Sequence, residues 1–353
     1  MVHKVGEPDR TVNHKTQMKQ SPQFHVGIDV GASALVVALC CAGQNASVQT
    51  YPNTAAAHRR LIKAITARGA SARVILEATG VYSLRLALAL HAAERVEVMV
   101  ANPRTIKDYQ RARLCRAKTD RVDARGLLDF LGRMEFVPWT PPAPEVLALQ
   151  QLSRRLCALK AEIVREQARR HAIAFTPDPG AVIAHDVDLN LAHLRRRIKA
   201  LEAAAADLLA AHASLREAAA RLRSTPGIAA TSAVRLLGEL LVLPPHLKAP
   251  QWVAQAGLDP RPVESGTSLH KPRRITKTGN HYLRCALYMP ALVAIQRDAH
   301  VRACYQALLA RGKRPKQAIV AIMRKLLHAL WGMLHHQTDF NPQLFYSLPT
   351  AHV

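Results

Sequence analysis

Short apolar runs alternate with amphipathic stretches over the first third of the chain. The pattern predicts strands over 25–32, 34–40 and 46–51, which are bounded by turn residues. Residues 53–69 predict a helix, because apolar positions recur at helical spacing between an N-cap candidate and a terminal glycine. The order strand, helix, strand is then predicted for 72–79, 81–93 and 96–103. This order is typical of an α/β layer with a mixed or parallel sheet.

The middle of the chain follows a different pattern. The proline-rich segment 137–145 cannot continue a helix and predicts a boundary. Leucines and an isoleucine then recur at spacings of three and four over 149–163, and the same spacing returns over 191–222, beyond a break at 176–180. A sustained seven-residue repeat predicts a coiled coil. Spacing alone leaves two arrangements open, an intramolecular helical hairpin or dimerisation through these helices.

The last third is predicted to be mainly helical. Residues 225–240, "TPGIAATSAVRLLGEL", predict a glycine turn followed by a helix. They are similar to a helix-hairpin-helix element, in which backbone amides near Gly227 would face a phosphate. A plain helix N-cap is the alternative, since it gives much the same string. Two further helices are predicted on either side of the basic turn 311–316.

Charge indicates the kind of partner. Lysine and arginine total 49 against 25 acidic residues, which gives a formal net charge of +24. Such an excess favours a polyanionic partner. We find neither an apolar run long enough to span a membrane nor an amphipathic basic helix at either end, so nucleic acid is favoured over a lipid surface.

Two features predict the compartment. Residues 1–24 are predicted to be a polar N-terminal extension, because they lack the apolar core of a signal peptide. The six cysteines show no paired C-x-x-C spacing, which suits a reducing compartment and gives no zinc site. We therefore expect a cytoplasmic protein that associates with the nucleoid.

Isolated acids within apolar runs indicate a metal site. Asp29 lies in "GIDVG" and Glu77 lies at the end of "VILEATG". Burying a carboxylate costs several kcal/mol unless it is paired, hydrogen-bonded or metal-bound. Asp120 and Asp123 lie three residues apart at the start of a predicted helix, so they project from one face. Oxygen ligands without His or Cys favour Mg²⁺ or Mn²⁺ over zinc.

Each acid also has a purely structural interpretation. Asp120 and Asp123 could be helix N-terminal charges that the helix dipole favours. Asp29 could be a buried acid whose oxygens accept backbone hydrogen bonds. "GIDVG" is also similar to the opening strand of the actin and sugar-kinase ATPases, although the second glycine-rich loop and repeated subdomain of that class are missing from the sequence.

Two stretches of the sequence are rich in lysine and arginine. One leads from residue 104 into the acids at 120 and 123, and the other spans 261–284. A solvated charged face is the alternative to phosphate binding for such runs. The predicted nucleic-acid contacts are Arg104, Lys107, Arg111, Arg113, Lys118, Gly227, Lys271, Arg273, Arg274, Lys277, Asn280 and Arg284.

A serine in the second stretch is a candidate nucleophile. Ser265 lies in an "ESG" turn among these cations. A serine that attacks phosphorus needs a base or metal to take its proton and cations to hold the developing charge. Serine is also common in turns for structural reasons. Ser268 and Lys271 form S-x-x-K, but the partner motifs of the penicillin-binding enzymes do not follow.

Taken together, seven strings resemble one family. The chain over about 25–345 is similar to the Asp-Glu-Asp-Asp transposases of bacterial insertion sequences, the group described as RNA-bridged recombinases. The matching strings stand in the family's order and at similar spacing: "GIDV", "EATGVY", "NP", "AKTDRVDA", "TPGIAATSA", "AGLDPRPVESG" and "RITKTGNHYLR".

The resemblance implies a domain plan. It implies an α/β domain with the ribonuclease H-like fold of Holliday-junction resolvases over 25–140 and a coiled-coil linker over 145–222. A mainly helical transposase domain with the helix-hairpin-helix-like element follows over 223–345. It also implies homo-oligomers, dimers or tetramers, in which the two domains form a composite site.

The resemblance also implies site roles. The family's four metal-binding acids fall on Asp29, Glu77, Asp120 and Asp123. Its catalytic serine, which links transiently to DNA, falls on Ser265, with Ser268 as the alternative. A noncoding guide RNA would pair with donor and target DNA.

The sequence therefore predicts an insertion-sequence recombinase that cuts and rejoins DNA strands with Mg²⁺ or Mn²⁺ and a serine nucleophile. Two alternatives remain. One is a metal-dependent, Holliday-junction-type nuclease without serine chemistry, and the other is a non-enzymatic nucleic-acid-binding protein.

Overall fold

The computed structural model describes residues 23–41, 45–78, 80–114, 119–175, 181–265 and 269–348. Most of the predicted N-terminal extension and the predicted break at 176–180 lie outside these residues. The chain divides into two compact units, Met1–Pro141 and Pro142–Val353. The division falls inside the proline-rich segment.

The first unit contains a five-stranded sheet. Its strands are β1 (Phe24–Val30), β2 (Ala34–Cys41), β3 (Ser47–Pro52), β4 (Ala72–Glu77) and β5 (Val96–Ala101), in the spatial order β3-β2-β1-β4-β5. β1, β2 and β3 pair antiparallel, whereas β4 pairs parallel with both β1 and β5. The predicted α/β layer with a mixed sheet is confirmed.

Helices cover both faces of this sheet. They are α1 (Ala55–Ile65), α2 (Val81–Ala92), α3 (Pro103–Ala112) and α4 (Asp120–Arg133). Strand residues such as Val26 and Ile28 pack with Leu61 of α1 and Leu86 of α2 in one core. On the opposite face Ile75 packs against α3 and α4. The alternation follows from the two-residue period of a strand, which sends neighbouring side chains to opposite faces.

The second unit is mostly helical. Over the described residues its elements are α5 (Pro144–Ile173), α6 (Ala181–Ala211), α7 (Ala213–Arg223), α8 (Ala230–Leu240), α9 (Ala249–Gln255), β6 (Pro260–Ser265), β7 (Leu269–Ile275), α10 (His281–Arg297), α11 (Ala299–Ala310), α12 (Pro315–His336) and α13 (Pro342–Phe345). The helices from α5 to α13 share one apolar core, which includes Leu237, Leu287 and Leu326.

The two heptad segments form an antiparallel hairpin within one chain. Lys160 pairs with Glu202 at 2.8 Å, and Arg170 pairs with Asp188 at 2.9 Å, so the helices run in opposite directions. Apolar side chains of α5 and α6, among them Leu159 and Leu194, form a small core between the two helices. The spacing allowed either an intramolecular hairpin or dimerisation through these helices, and the structure contains the intramolecular hairpin. The continuous seam expected over 191–222 is interrupted at His212, where α7 begins.

The hairpin of β6 and β7 was not predicted from the sequence. These strands pair antiparallel from Pro260↔Ile275 to Ser265↔Leu269, with an irregularity between Arg261 and Val263. Their sequences, "PRPVES" and "LHKPRRI", contain prolines and no alternation of apolar and polar residues. Proline is tolerated here because both strands of a two-stranded sheet are edges.

Over the part of the chain that the structure describes, every helix is too short or too polar to cross a membrane.

Candidate active site and nucleic-acid interface

Helix α4 lies directly on β1 at Gly27. A Cβ atom at Gly27 would come within 2.5 Å of both the carbonyl oxygen of Ala124 and the backbone nitrogen of Leu128. Only glycine allows two backbones to approach this closely. The contact fixes the helix over the strand, one turn after Asp120 and next to Asp123.

Strand register places Asp29 and Glu77 side by side. The parallel pairing of β1 and β4 ends with Gly27↔Ile75 and Ile28↔Leu76, and the two acids follow one residue later on each strand. Since side chains two apart on a strand share a face, Asp29 lies on the Gly27 face and Glu77 on the Ile75 face. Both belong to the face that α3 and α4 cover. Asp29 and Glu77 are each partly buried.

The start of α4 supplies the other two acids. Thr119 is the N-cap, and its hydroxyl accepts a hydrogen bond from the Val122 amide at 3.3 Å. Asp120 is exposed and Asp123 is partly buried. The Gln110 side-chain amide of α3 donates to Asp123 Oδ1 at 3.2 Å, which orients this carboxylate.

Electrostatics link three of the four acids. Burial raises the pKa of Asp29, and the charges of Asp120 and Asp123 raise it further, whereas a hydrogen bond from the Val30 backbone lowers it. Carboxylates that repel one another in a partly buried place favour a cation. Nevertheless, among the described residues no three His, Cys, Asp or Glu side chains lie close enough together to hold a metal ion as they stand.

The first basic stretch lies mainly on α3. Arg104, Lys107 and Arg111 are exposed, and the first and third form long ion pairs of 3.6 and 3.8 Å with Asp108. Such exposed pairs are weak, so these cations remain available to phosphates.

Arg113 differs from the other α3 cations, because its guanidinium pairs with Asp129 of α4. Arg133 pairs with the same carboxylate at 3.0 Å, and Tyr109 donates its hydroxyl to it. These hydrogen bonds and the two arginine charges hold the pKa of Asp129 below its usual value despite burial. The predicted contact Lys118 lies outside the described residues.

The predicted serine lies at the end of a hairpin strand. Ser265 is the last residue of β6 and pairs with Leu269 of β7. The side chains of Ser265, Lys271 and Arg273, and the whole of Ser268, lie outside the described part of the molecule. Arg274 and Lys277 are exposed, and Lys277 adopts a left-handed backbone with φ 54°.

Three predicted nucleic-acid residues make contacts within the protein. Asn280 is the N-cap of α10, and its side-chain amide donates to Glu239 Oε2 at 2.6 Å. Arg284 donates to the carbonyl oxygen of Ala256 at 2.8 Å. At Gly227, φ is 91° and a Cβ would come within 2.6 Å of the Pro290 carbonyl oxygen, so α10 occupies the space beside it. Each of the three therefore has a neighbour within the protein, and its contact with nucleic acid stays a prediction.

Helix α8 contains a buried carboxylate that was not predicted from the sequence. The side chain of Glu239 is fully buried, and Arg154 of α5 donates to both of its oxygens at 2.8 and 2.9 Å. Gln150 donates to it at 3.5 Å. The Arg154 guanidinium also lies 4.9 Å from the centre of the Tyr282 ring. The available signal was a lone acid in the apolar run "LLGELL".

Comparisons with known proteins decide the family. A DEDD transposase model of the IS110 type matches residues 26–174, and a model described as "Transposase IS116/IS110/IS902 family" matches residues 219–306. The pilin gene-inverting protein of Moraxella bovis is 30% identical over 275 residues, which cover 77% of this chain and 82% of that protein. The chain belongs to the IS110-type DEDD transposase family.

Two further relatives come from insertion elements. An uncharacterized protein of insertion element IS110 from Streptomyces coelicolor is 28% identical over 56% of this chain and 51% of its own length. An uncharacterized protein of insertion element IS900 from Mycobacterium paratuberculosis is 38% identical over 25% of this chain and 22% of its own length.

The two family models match different parts of this DEDD transposase, so each match contains different candidate residues. The first contains Asp29, Glu77, Asp120 and Asp123, and the second contains Gly227 and Ser265. A DEDD-type domain indicates a requirement for a divalent metal ion. The oxygen-only donor set at the edge of the sheet fits a hard cation in its chemistry.

Proposed function

We propose that this DEDD transposase cuts and rejoins DNA strands by serine chemistry that a four-acid metal centre assists. The observation that carries the proposal is the placement of Asp29, Glu77 and the start of α4 at one edge of the sheet, on one face. The strand order, with three antiparallel strands and two parallel ones, supports the ribonuclease H-like fold that the resemblance implies.

Asp29, Glu77, Asp120 and Asp123 would hold Mg²⁺ or Mn²⁺. Binding requires the carboxylates to draw closer than they stand in the structure, and the ion itself would supply the attraction that draws them together. A divalent ion would relieve both the burial of Asp29 and its repulsion by its neighbours. Bound there, the metal would activate a nucleophile and stabilise the departing oxygen.

Ser265 would be the nucleophile. Its hydroxyl oxygen would lose its proton and form a bond to phosphorus while the bond from phosphorus to the departing sugar oxygen breaks, and that sugar oxygen would take up a proton. The resulting phosphoserine ester would conserve the energy of the broken bond. A hydroxyl on another strand would then reverse the step, which rejoins DNA and frees the serine.

The relatives and the charge support nucleic-acid partners. Breaking and rejoining DNA would also serve the activity after which the Moraxella relative is named, the inversion of a pilin gene. The chain has 49 basic and 25 acidic residues, and this excess of positive charge favours contacts with many phosphates. A noncoding guide RNA and a homo-oligomer are part of the proposal through the family resemblance.

An assay for covalent protein–DNA adducts tests the proposal. The full chain is incubated with labelled DNA from the junction of its own insertion element, the adjacent noncoding RNA and Mg²⁺. Ser265→Ala should abolish the adduct, and Ser268→Ala is the matched control that should retain it. Asp29→Asn should abolish cleavage altogether.

Other outcomes would overturn parts of the proposal. Cleavage without adducts in Ser265→Ala would indicate a metal-dependent nuclease. An adduct that Ser268→Ala removes, and Ser265→Ala does not, would move the nucleophile to Ser268. Unchanged activity in both Asp29→Asn and Glu77→Gln would remove the acids from the chemistry.

A further inference from the structure

The buried carboxylate of Glu239 lies far in sequence from every proposed catalytic group, yet it contacts the segment that follows the serine hairpin. Four hydrogen bonds reach it: two from Arg154, one from Gln150 and one from Asn280. Burying a carboxylate is expensive unless donors surround it in this way. A carboxylate held by Arg154 therefore gives Asn280 a fixed partner.

Asn280 ends a strap, residues 276–280, that lies along the end of α9. The Asn280 amide donates to the Gln255 carbonyl at 2.7 Å, and the Lys277 amide donates to the Gly257 carbonyl at 3.1 Å. Gly279 lies so close to Gln255 that a Cβ would come within 2.2 Å of its carbonyl oxygen. The strap thus has little room to move along α9.

The strap also closes the base of the β6–β7 hairpin. Thr276 donates its amide to the Asp259 carbonyl at 3.0 Å and its hydroxyl to Asp259 Oδ1 at 2.7 Å. Asp259 precedes β6 and Thr276 follows β7, so these bonds tie together the two legs of the hairpin. Hydrogen bonds therefore hold the strap at both ends, to Glu239 at Asn280 and to the hairpin base at Thr276.

We propose that Glu239 and Asn280 are positioning residues that set the direction of the serine hairpin. This proposal rests on the proposed role of Ser265. Ser265 is the last residue of six-residue β6, about 17 Å from its first residue at ~3.4 Å per residue. A tilt of about 5° at the base would displace the serine by roughly 1.5 Å, enough to impair a step that needs sub-ångström alignment.

Asn280→Ser tests the link because serine keeps the helix cap. Serine is as good an N-cap as asparagine, so α10 should still form. It cannot reach Glu239, whose charge Arg154 continues to neutralise. We expect the single-turnover rate of adduct formation to fall ~10- to 100-fold. The affinity for the same labelled junction DNA and the melting temperature should stay close to those of the wild type.

Asn280→Asp is a second test, because the side chain keeps its size and only its amide is replaced by a carboxylate. Aspartate also caps helices, but it would place a second carboxylate beside that of Glu239. The adduct rate should fall further than in Asn280→Ser at neutral pH.

Asn341→Ser is the matched control, since Asn341 caps α13 through the same side-chain oxygen. It should leave the adduct rate unchanged. If wild type forms a Ser265-dependent adduct and Asn280→Ser forms it equally fast, the positioning role is wrong and the proposed function stands. If wild type and Ser265→Ala do not differ, the serine chemistry is wrong and the positioning role falls with it.

Discussion

A Cβ atom on Gly27 would lie 2.5 Å from the carbonyl oxygen of Ala124, which makes this glycine the point where β1 and α4 are held together. Gly27→Ala should therefore force α4 away from the sheet. We expect a loss of about 1–3 kcal/mol in the free energy of unfolding, the usual cost of overpacking. Chemical denaturation would measure it, and DNA cleavage should fall because Asp120 and Asp123 move with the helix.

Gly132→Ala in the same helix is the control. Apart from its own stretch of helix, nothing lies within 4 Å of a Cβ at Gly132, which is exposed. Alanine should stabilise this helical position by about 0.5–1 kcal/mol. Equal effects of the two substitutions would show that the contact at Gly27 does not hold α4.

Asp29→Asn should stabilise the protein when no divalent metal is present. Burial and two neighbouring acids raise the pKa of Asp29. When folding raises the pKa of a carboxyl group, its contribution to stability is fully present below the pKa of the unfolded state. That contribution is lost as the pH rises through the pKa of the folded state. The neutral amide removes that loss, so the melting temperature in EDTA at pH 7 should rise.

A divalent metal ion should reverse the order of the melting temperatures of the wild type and Asp29→Asn. Mg²⁺ or Mn²⁺ should raise the melting temperature of the wild type more than that of Asp29→Asn, because ligand binding to the folded state stabilises it. Asp108→Asn, an exposed acid on α3, should respond to metal like wild type. A metal response in Asp29→Asn equal to that of wild type would remove Asp29 from the ligand set.

His58 should make the first unit sensitive to mild acid. The residue is 4% exposed, and its ring hydrogen-bonds the Asn53 side chain at 2.8 Å. Asn53 in turn donates to the Gly31 carbonyl beside β1. Burial, then the charge of Arg85, lowers the pKa of His58. The unfolded state therefore binds more protons, and stability is lost as the pH falls below about 6.5.

Melting curves between pH 7.5 and 5 would measure this loss, and His58→Gln should reduce it. Glutamine can still donate a hydrogen bond to Asn53 but does not titrate. If the pH dependence in His58→Gln equals that of the wild type, other groups cause the loss.

The exposed cations of α3 should contribute to DNA binding through phosphates. Replacing Arg104 and Lys107 together by glutamine should weaken binding and lower the slope of log affinity against log salt by about 2, at ~0.9 per phosphate contact. Arg113→Gln should change the slope less, because Arg113 pairs with Asp129. Filter binding across a salt series would separate the two. Equal slopes for all three proteins would show that α3 is only a solvated face.

Local patterns predicted the elements that carry the acids. The apolar run around Asp29 and the capped start of α4 were visible in the sequence, because strand and helix periods and N-caps are encoded within a few residues. The pairing that brings Asp29 beside Glu77 spans 48 positions, and only the register shows it. Gly27 was not singled out, since its partner backbone lies almost 100 residues away.

Long-range contacts also explain why sequence patterns did not indicate the intramolecular partners of two predicted nucleic-acid residues. Asn280 and Arg284 stand in a basic stretch, so charge indicated phosphate contacts. Their partners, Glu239 and the Ala256 carbonyl, lie 41 and 28 positions away. The hairpin of β6 and β7 was missed for a different reason, because its prolines and charges contradict the usual strand pattern.

The ion pair of Arg154 and Glu239 should behave as a unit in stability. Glu239 is fully buried, so Arg154→Met would leave its carboxylate without a counter-charge at a cost of about 3–5 kcal/mol. Replacing Glu239 by glutamine in the same protein removes that charge, and the double variant should recover more than half of the loss. Arg170→Met is the control, because its partner Asp188 is about half exposed and the pair is worth no more than ~1 kcal/mol. Urea denaturation of the single and double variants would give the coupling energy, and additive effects would contradict the pairing.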